Sequence, residues 1–220
     1  IVLDGPDGCG KSTLPHLLAQ RLAQEGLDVV CCRDPGGTEI GDRIRSVLLD
    51  YDLDRMDVRC ETLLFMASRA QLVGEVIRPA LDASKVVLCD RFVSSTCAYQ
   101  GAAGFDPHKV LDLAGHAVGN LWPWMTVILD VDTDVAFARI GRPAGRLKPS
   151  YREAGQPALF SDAVHDAMES RSPEYHRQVR ENFLALPNYY PARVVRVDAA
   201  SEPRAVHERI VEVLTRHAAG

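Results

Sequence analysis

The sequence predicts an α/β fold of three layers, a five-stranded parallel sheet with helices on both faces, and three observations carry that expectation. Short β-branched runs alternate with apolar residues at helical spacing, a glycine-rich segment joins the first such run to the first helical pattern, and the composition is that of one ordinary globular domain. At 220 residues the chain can bury one α/β core but not two comfortable ones, so a single domain over 1–220 is expected. A content of 46% hydrophobic and 25% charged residues excludes a disordered, collagen-like or membrane-spanning chain.

The strands are expected at Ile1-Val2-Leu3-Asp4, Asp28-Val29-Val30-Cys31-Cys32, Val86-Val87-Leu88-Cys89, Thr126-Val127-Ile128-Leu129 and Val194-Val195-Arg196-Val197. Their near-continuous apolar character is that of parallel strands covered on both faces. Leu14, Leu17, Leu18 and Leu22 share a helix face, as do Val206, Ile210, Val213 and Leu214. Longer helices are expected at about 57–82 and 160–185, and Pro15 is expected to distort the first turn of a helix starting near Lys11. Between Gly141 and Gly155 the pattern gives way to Gly141-Arg142-Pro143-Ala144-Gly145-Arg146-Leu147-Lys148-Pro149, rich in breakers and cations. A mobile basic lid is expected there, over about 141–160.

Charge and cysteine usage narrow the function. With 25 Lys and Arg against 30 Asp and Glu, the net charge of −5 gives no bulk field for a nucleic-acid backbone, so neither nucleic acid nor membrane is expected as a partner. Cys9, Cys31, Cys32, Cys60, Cys89 and Cys97 are scattered without a CxxC pair, which argues against a disulfide framework or structural zinc and fits a reducing cytoplasm. The sequence opens on Ile1 without a signal-peptide pattern, and the natural protein is expected to begin a few residues earlier.

Gly5-Pro6-Asp7-Gly8-Cys9-Gly10-Lys11-Ser12 matches G-x-x-x-x-G-K-[ST] between a strand and a helix, the context in which that pattern is a P-loop. Glycines let backbone N–H groups of residues 5–13 wrap a phosphate, Lys11 reaches the β and γ phosphates, and Ser12 can ligate Mg2+. Thr13 closes the cradle. Asp90, ending an apolar strand, stands where a P-loop protein places the acid that orients the metal. Cys9 has two open readings: a thiol activated beside a helix N-terminus, or a small filler. No guanine-reading N-K-x-D is present and the chain is short for a motor, which leaves a small kinase.

Here the sequence resembles thymidylate kinase, of the bacterial class. The resemblance rests on Gly5 to Thr13, Arg33-Asp34-Pro35-Gly36-Gly37-Thr38, Phe65-Met66-Ala67-Ser68-Arg69 and, above all, Asp90-Arg91-Phe92-Val93-Ser94-Ser95-Thr96-Cys97-Ala98-Tyr99-Gln100-Gly101. It implies transfer of the ATP γ-phosphoryl group to dTMP with Mg2+, in a cytoplasmic homodimer. It also implies that Asp7 binds the acceptor's 3'-hydroxyl, that Arg45 and Arg91 lie near the acceptor phosphate, and that Phe65 stacks on thymine while Arg69 bonds its carbonyl edge. Thr96 and Gln100 match polar positions near the base and Tyr99 the aromatic beneath the sugar; Arg139 is expected to end a helix and touch the adenine or ribose. Taken singly, Arg45 also reads as part of a solvated helix face and Phe65 as core. Two departures stand out. Asp166-Ala167-Met168-Glu169 has alanine where the family's D-R-x-E has arginine, and Gly8 replaces a cradle cation, so Arg142 and Arg146 of the lid are expected to supply the catalytic charge. Trp122-Pro123-Trp124 has no account at this level. The rival readings are a kinase for another nucleotide or deoxynucleoside, and a nucleotide-binding pseudoenzyme.

Overall fold

Strand β1 (Val2–Asp4) occupies the middle of the sheet, flanked by β3 (Val86–Asp90) and β4 (Thr126–Asp130), with β2 (Val29–Arg33) and β5 (Val194–Asp198) at the edges. All four pairings are parallel, with Val2 opposite both Cys89 and Thr126. The computed structural model describes residues 1–50, 56–140 and 171–218. All five expected strands are present, each within a residue or two of its expected bounds.

Alternation along the strands divides the core in two. Val2, Cys89 and Ile128 face one layer, where Leu72, Val93, Cys97, Val110, Val179 and Phe183 come from helices α3 (Val58–Leu72), α5 (Val93–Ala102), α6 (Pro107–Val118) and α8 (Pro173–Ala185). Leu3, Leu88, Val127 and Leu129 face the other, against Leu14 and Leu18 of α1 (Leu14–Gln24) and Val206, Ile210 and Leu214 of α9 (Pro203–Ala218). Helix α2 (Glu39–Asp50) packs along α3. Among the described residues no helix is long and apolar enough to cross a membrane.

Three local outcomes refine the sequence reading. Residues 11–13 form turns, with the Thr13 and Leu14 amides both donating to the Gly10 carbonyl, and α1 starts only at Leu14. Pro15 thus falls in the first helical turn, where its missing N–H costs nothing. The expected helix over 57–82 is realised as α3, a π turn over Val73–Ile77 and α4 (Arg78–Asp82). Pro79 follows the wide turn, and proline neither donates nor tolerates a close carbonyl four residues back. Of the helix expected at 160–185 the structure describes α8; the lid with Arg142 and Arg146, and the Asp166–Glu169 segment, lie outside the described residues.

Trp122 packs edge-on against Tyr190, with ring centroids 5.6 Å apart, while Trp124 is exposed. Both line an apolar groove of about 760 Å³ with Ile1, Leu22, Leu81 and Leu214. That groove lies at the N-terminal end of the strands, whereas the phosphate loop and the charged cluster described next lie at the C-terminal end, where open parallel sheets bind ligands.

Candidate active site

The loop from Gly5 to Ser12 leaves the C-terminal end of β1 and presses against β4 and α7 (Thr133–Arg139). Gly5 has φ +145°, and a Cβ there would lie 2.5 Å from the Leu129 carbonyl oxygen. Gly8 has φ +76°, and its Cβ would collide with the Ala136 carbonyl. The backbone conformation and the nearness of α7 therefore exclude a basic side chain at this position. Within the loop the Lys11 ammonium donates to the Gly5 and Pro6 carbonyls at 2.7 Å each and to Cys9 Sγ at 3.3 Å. Ser12 is half-buried and Thr13 exposed.

The structure decides between the two readings of Cys9. Its side chain is buried in the layer with Leu3 and Leu14, and burial pushes the thiol up, an effect Lys11 only partly opposes. The helix does not begin until Leu14, so Cys9 is not seated at its first turn. Of the two readings, burial and packing favour the small filler.

Around the loop the structure brings the expected acceptor residues together. Asp7 turns away from the phosphate cradle: its Oδ1 accepts from Arg91 Nη2 at 2.5 Å and its Oδ2 from the Tyr99 hydroxyl at 2.9 Å. Burial alone would raise this carboxyl, but Arg91, Lys11, His176 and the Tyr99 hydrogen bond hold it down at about 2. Arg91 adopts φ +65°, a left-handed conformation that costs a non-glycine residue on the order of 1 kcal/mol. The conformation follows from position: its amide donates to the Leu3 carbonyl, and its guanidinium, 5.1 Å above the Tyr99 ring centroid, points back at the loop. Burial works against its charge, yet Tyr99, Asp7, Asp4 and Asp90 keep it well above the ordinary arginine range. Asp90 is buried at the end of β3.

Arg69 of α3 is 1% exposed and ties three elements together. Its Nε donates to Asp34 Oδ2 at 2.5 Å, its Nη1 to Met66 Sδ at 3.2 Å, and its Nη2 to the Phe92 carbonyl at 3.2 Å and Thr96 Oγ1 at 3.0 Å. Burial pushes the Asp34 carboxyl up, opposed by Arg69. Phe65, one turn earlier, is half-buried against the core, which fits both of its readings. Arg45 of α2 is half-buried, and its Nη1 donates to the Pro35 carbonyl at 3.1 Å. Gln100 is buried and donates from Nε2 to Glu61 Oε1 at 3.2 Å. Arg139 ends α7 as expected and donates to the carbonyls of Ala199 at 2.8 Å and Ala200 at 2.5 Å, closing the loop after β5 beside the cradle.

Several supporting residues escape sequence reasoning. Asp4 is fully buried and accepts from the Gly5 amide, Ser94 and Ser95 at 2.8, 2.5 and 2.7 Å, tying the loop to α5. Its signal was available: an acid at a strand end directly before the cradle. Ser68 accepts from the Gly36 amide at 3.0 Å, joining α3 to the Asp34–Gly37 turn. Glu61, Arg171 and Tyr175 carry no local signature, since only the packing of α8 onto α5 brings them into range. Arg180 anchors that helix, its Nε 2.8 Å from Asp130 Oδ1. Among the described residues no group of three or more His, Cys, Asp or Glu could hold a metal ion, so any metal here depends on hydroxyl, isolated carboxylate and phosphate oxygens.

Comparison with known proteins extends the agreement from motifs to the whole chain. The thymidylate kinase family model matches residues 3–210. A thymidylate kinase from Symbiobacterium thermophilum is 42% identical, covering 100% of this chain and 96% of that protein. One from Exiguobacterium sp. is 38% identical, covering 96% and 92%. The crystal structure of thymidylate kinase from Ehrlichia chaffeensis aligns with a TM-score of 0.72 at 28% identity, over 97% of this chain and 96% of that one. Likeness at this identity, sustained across loop, sheet and helices alike, is what common descent produces, and the chain belongs to the thymidylate kinase family.

Proposed function

We propose that this protein transfers the γ-phosphoryl group of ATP to dTMP, giving dTDP and ADP. An oxygen of the acceptor phosphate forms the new bond to the γ phosphorus, the bond to the β–γ bridging oxygen breaks, and no covalent enzyme intermediate is needed. The observation that carries the reading is the joining of the cradle to the Asp7–Arg91–Tyr99 cluster, since a kinase must present donor and acceptor to one another. Backbone amides of residues 5–13 and Lys11 hold the donor phosphates, with Arg139 on the nucleoside side. Arg45 and Arg91 offset the acceptor's charge, Asp7 and Tyr99 receive the sugar, and Phe65, Arg69, Thr96 and Gln100 line the base.

Ser12 and Asp90 fit a magnesium ion carried in with ATP, their hydroxyl and carboxylate oxygens being the hard donors that ion takes. When bound, Mg2+ supplies positive charge to the phosphate oxygens. The homodimer reading draws support from Ile40 and Val47 of α2 and Leu63 of α3, large apolar side chains exposed on two adjacent helices. Sedimentation equilibrium at twice the chain mass supports it, and a monomer at micromolar concentration refutes it. The deciding test of function is ADP release in a coupled assay with dTMP, dUMP, dCMP and thymidine as acceptors. Preference for dTMP is expected; faster turnover of thymidine points to a nucleoside kinase, and binding without turnover to a pseudoenzyme.

A further inference from the structure

Glu61 lies in the first turn of α3 with no exposed surface, an unusual place for a carboxylate. Its Oε2 lies 3.1 Å from Arg171 Nη2, and its Oε1 accepts from Gln100 Nε2 at 3.2 Å. Arg171 directly precedes Ser172, the N-cap of α8, and its guanidinium lies 4.7 Å from the Tyr175 ring centroid. The Tyr175 hydroxyl donates to the Tyr99 carbonyl at 2.9 Å. Three helices, α3, α5 and α8, thus converge on one amide.

A terminal amide can turn over, exchanging donor and acceptor. An ionised carboxylate accepts and never donates, so Glu61 permits only the orientation in which the Gln100 NH2 faces it and the Gln100 Oε1 faces away. Gln100 is 1% exposed, and its bond to Glu61 is made from the amide nitrogen. Were Glu61 to take up a proton, it could donate to the amide oxygen and the constraint would vanish. Burial pushes the Glu61 carboxyl up, and Arg171 opposes that push.

We propose that Glu61 and Arg171 are positioning residues that lock the Gln100 amide with its oxygen toward the acceptor base. The site then takes a pyrimidine carrying a hydrogen on N3, such as thymine, and disfavours cytosine, whose N3 lone pair would face another lone pair. This rests on the reading of Gln100 as a residue of the acceptor site. Arg171 is the less obvious member, because it acts through Glu61 and Gln100 rather than on substrate.

The test is steady-state kinetics with dTMP and dCMP at saturating ATP, with thermal melting to confirm folding. Glu61→Gln, whose amide satisfies Gln100 in either orientation, lowers the ratio of kcat/KM for dTMP over dCMP at least about tenfold, with KM for ATP within about twofold of wild type. Arg171→Met does the same, and Arg171→Lys, which keeps the charge, retains most of the discrimination. Because Arg171 lies outside a helix, its variants keep the test open should Glu61→Gln fail to fold. Gln100→Ala separates the two levels. If it leaves KM for dTMP unchanged, the acceptor-site reading of Gln100 is wrong and the proposal falls with it. If it raises that KM while folded Glu61→Gln and Arg171→Met keep the wild-type ratio, the acceptor reading stands and the positioning roles are overturned.

Discussion

Lys11, in the role proposed for it, illustrates how little a catalytic side chain needs to contribute to folding. Among the described residues its ammonium bonds only to carbonyls and a sulfur of its own loop, within six residues of sequence. Lys11→Ala is therefore expected to reduce kcat by at least about a hundredfold through lost charge on the transferring group, with a melting temperature within a few degrees of wild type. Wild-type turnover in the folded variant would exclude the cradle as the donor site. Asp7 behaves in the opposite way. Its folded pKa of about 2 lies below the ordinary aspartate value of 3.8, so it contributes stability that is fully present above about pH 4 and is lost as pH falls through about 2. The difference corresponds to about 2 kcal/mol. In urea unfolding, the gap between wild type and Asp7→Asn should shrink as pH drops from 5 toward 2; a constant gap would mean that Arg91 does not hold the charge.

At the scale of elements, the site is held by side chains that cross between helices and loops. Arg69 joins α3 to the turn after β2 and to α5, and its pair with Asp34 is completely enclosed. Removing one partner of such a pair leaves a buried uncompensated charge, typically costing about 3–5 kcal/mol. Arg69→Ala is thus expected to weaken folding by that amount in denaturant titration as well as to raise KM for dTMP, whereas a role confined to the base edge would leave stability near wild type. From sequence, Phe65 and Arg69 announced themselves as one helix face, but the Asp34 partner 35 residues earlier did not. Gly8 is a second case. Its lack of charge was plain in sequence; its packing against Ala136, which forbids a larger residue, depends on where α7 docks.

At the scale of the molecule, the proposed reaction brings both substrates to the C-terminal edge of the sheet, and a chain of net charge −5 must concentrate its cations there. Lys11, Arg45, Arg69 and Arg91 are already gathered, which leaves Arg142 and Arg146 as proposed additions from a segment outside the described residues. Alanine at both is expected to lower single-turnover phosphoryl transfer at least about tenfold with little change in dTMP affinity, the pattern of an interaction made mainly in the transition state. Unchanged transfer would assign the work to the cations of the described site.

Sequence by itself determined the strands, the helix faces, the cradle and the family, because each is written in residues close together along the chain: apolar runs, a period near 3.6, and contiguous motifs whose chemistry follows from their spacing. Tertiary structure alone decided that Cys9 is packed filler, that Arg45 is engaged with Pro35, and that Glu61 and Arg171 meet beside Gln100. These depend on segments up to 110 residues apart being pressed together, and on the burial that results. Burial sets which charges survive and which donors must be paired, and no local window of sequence contains it.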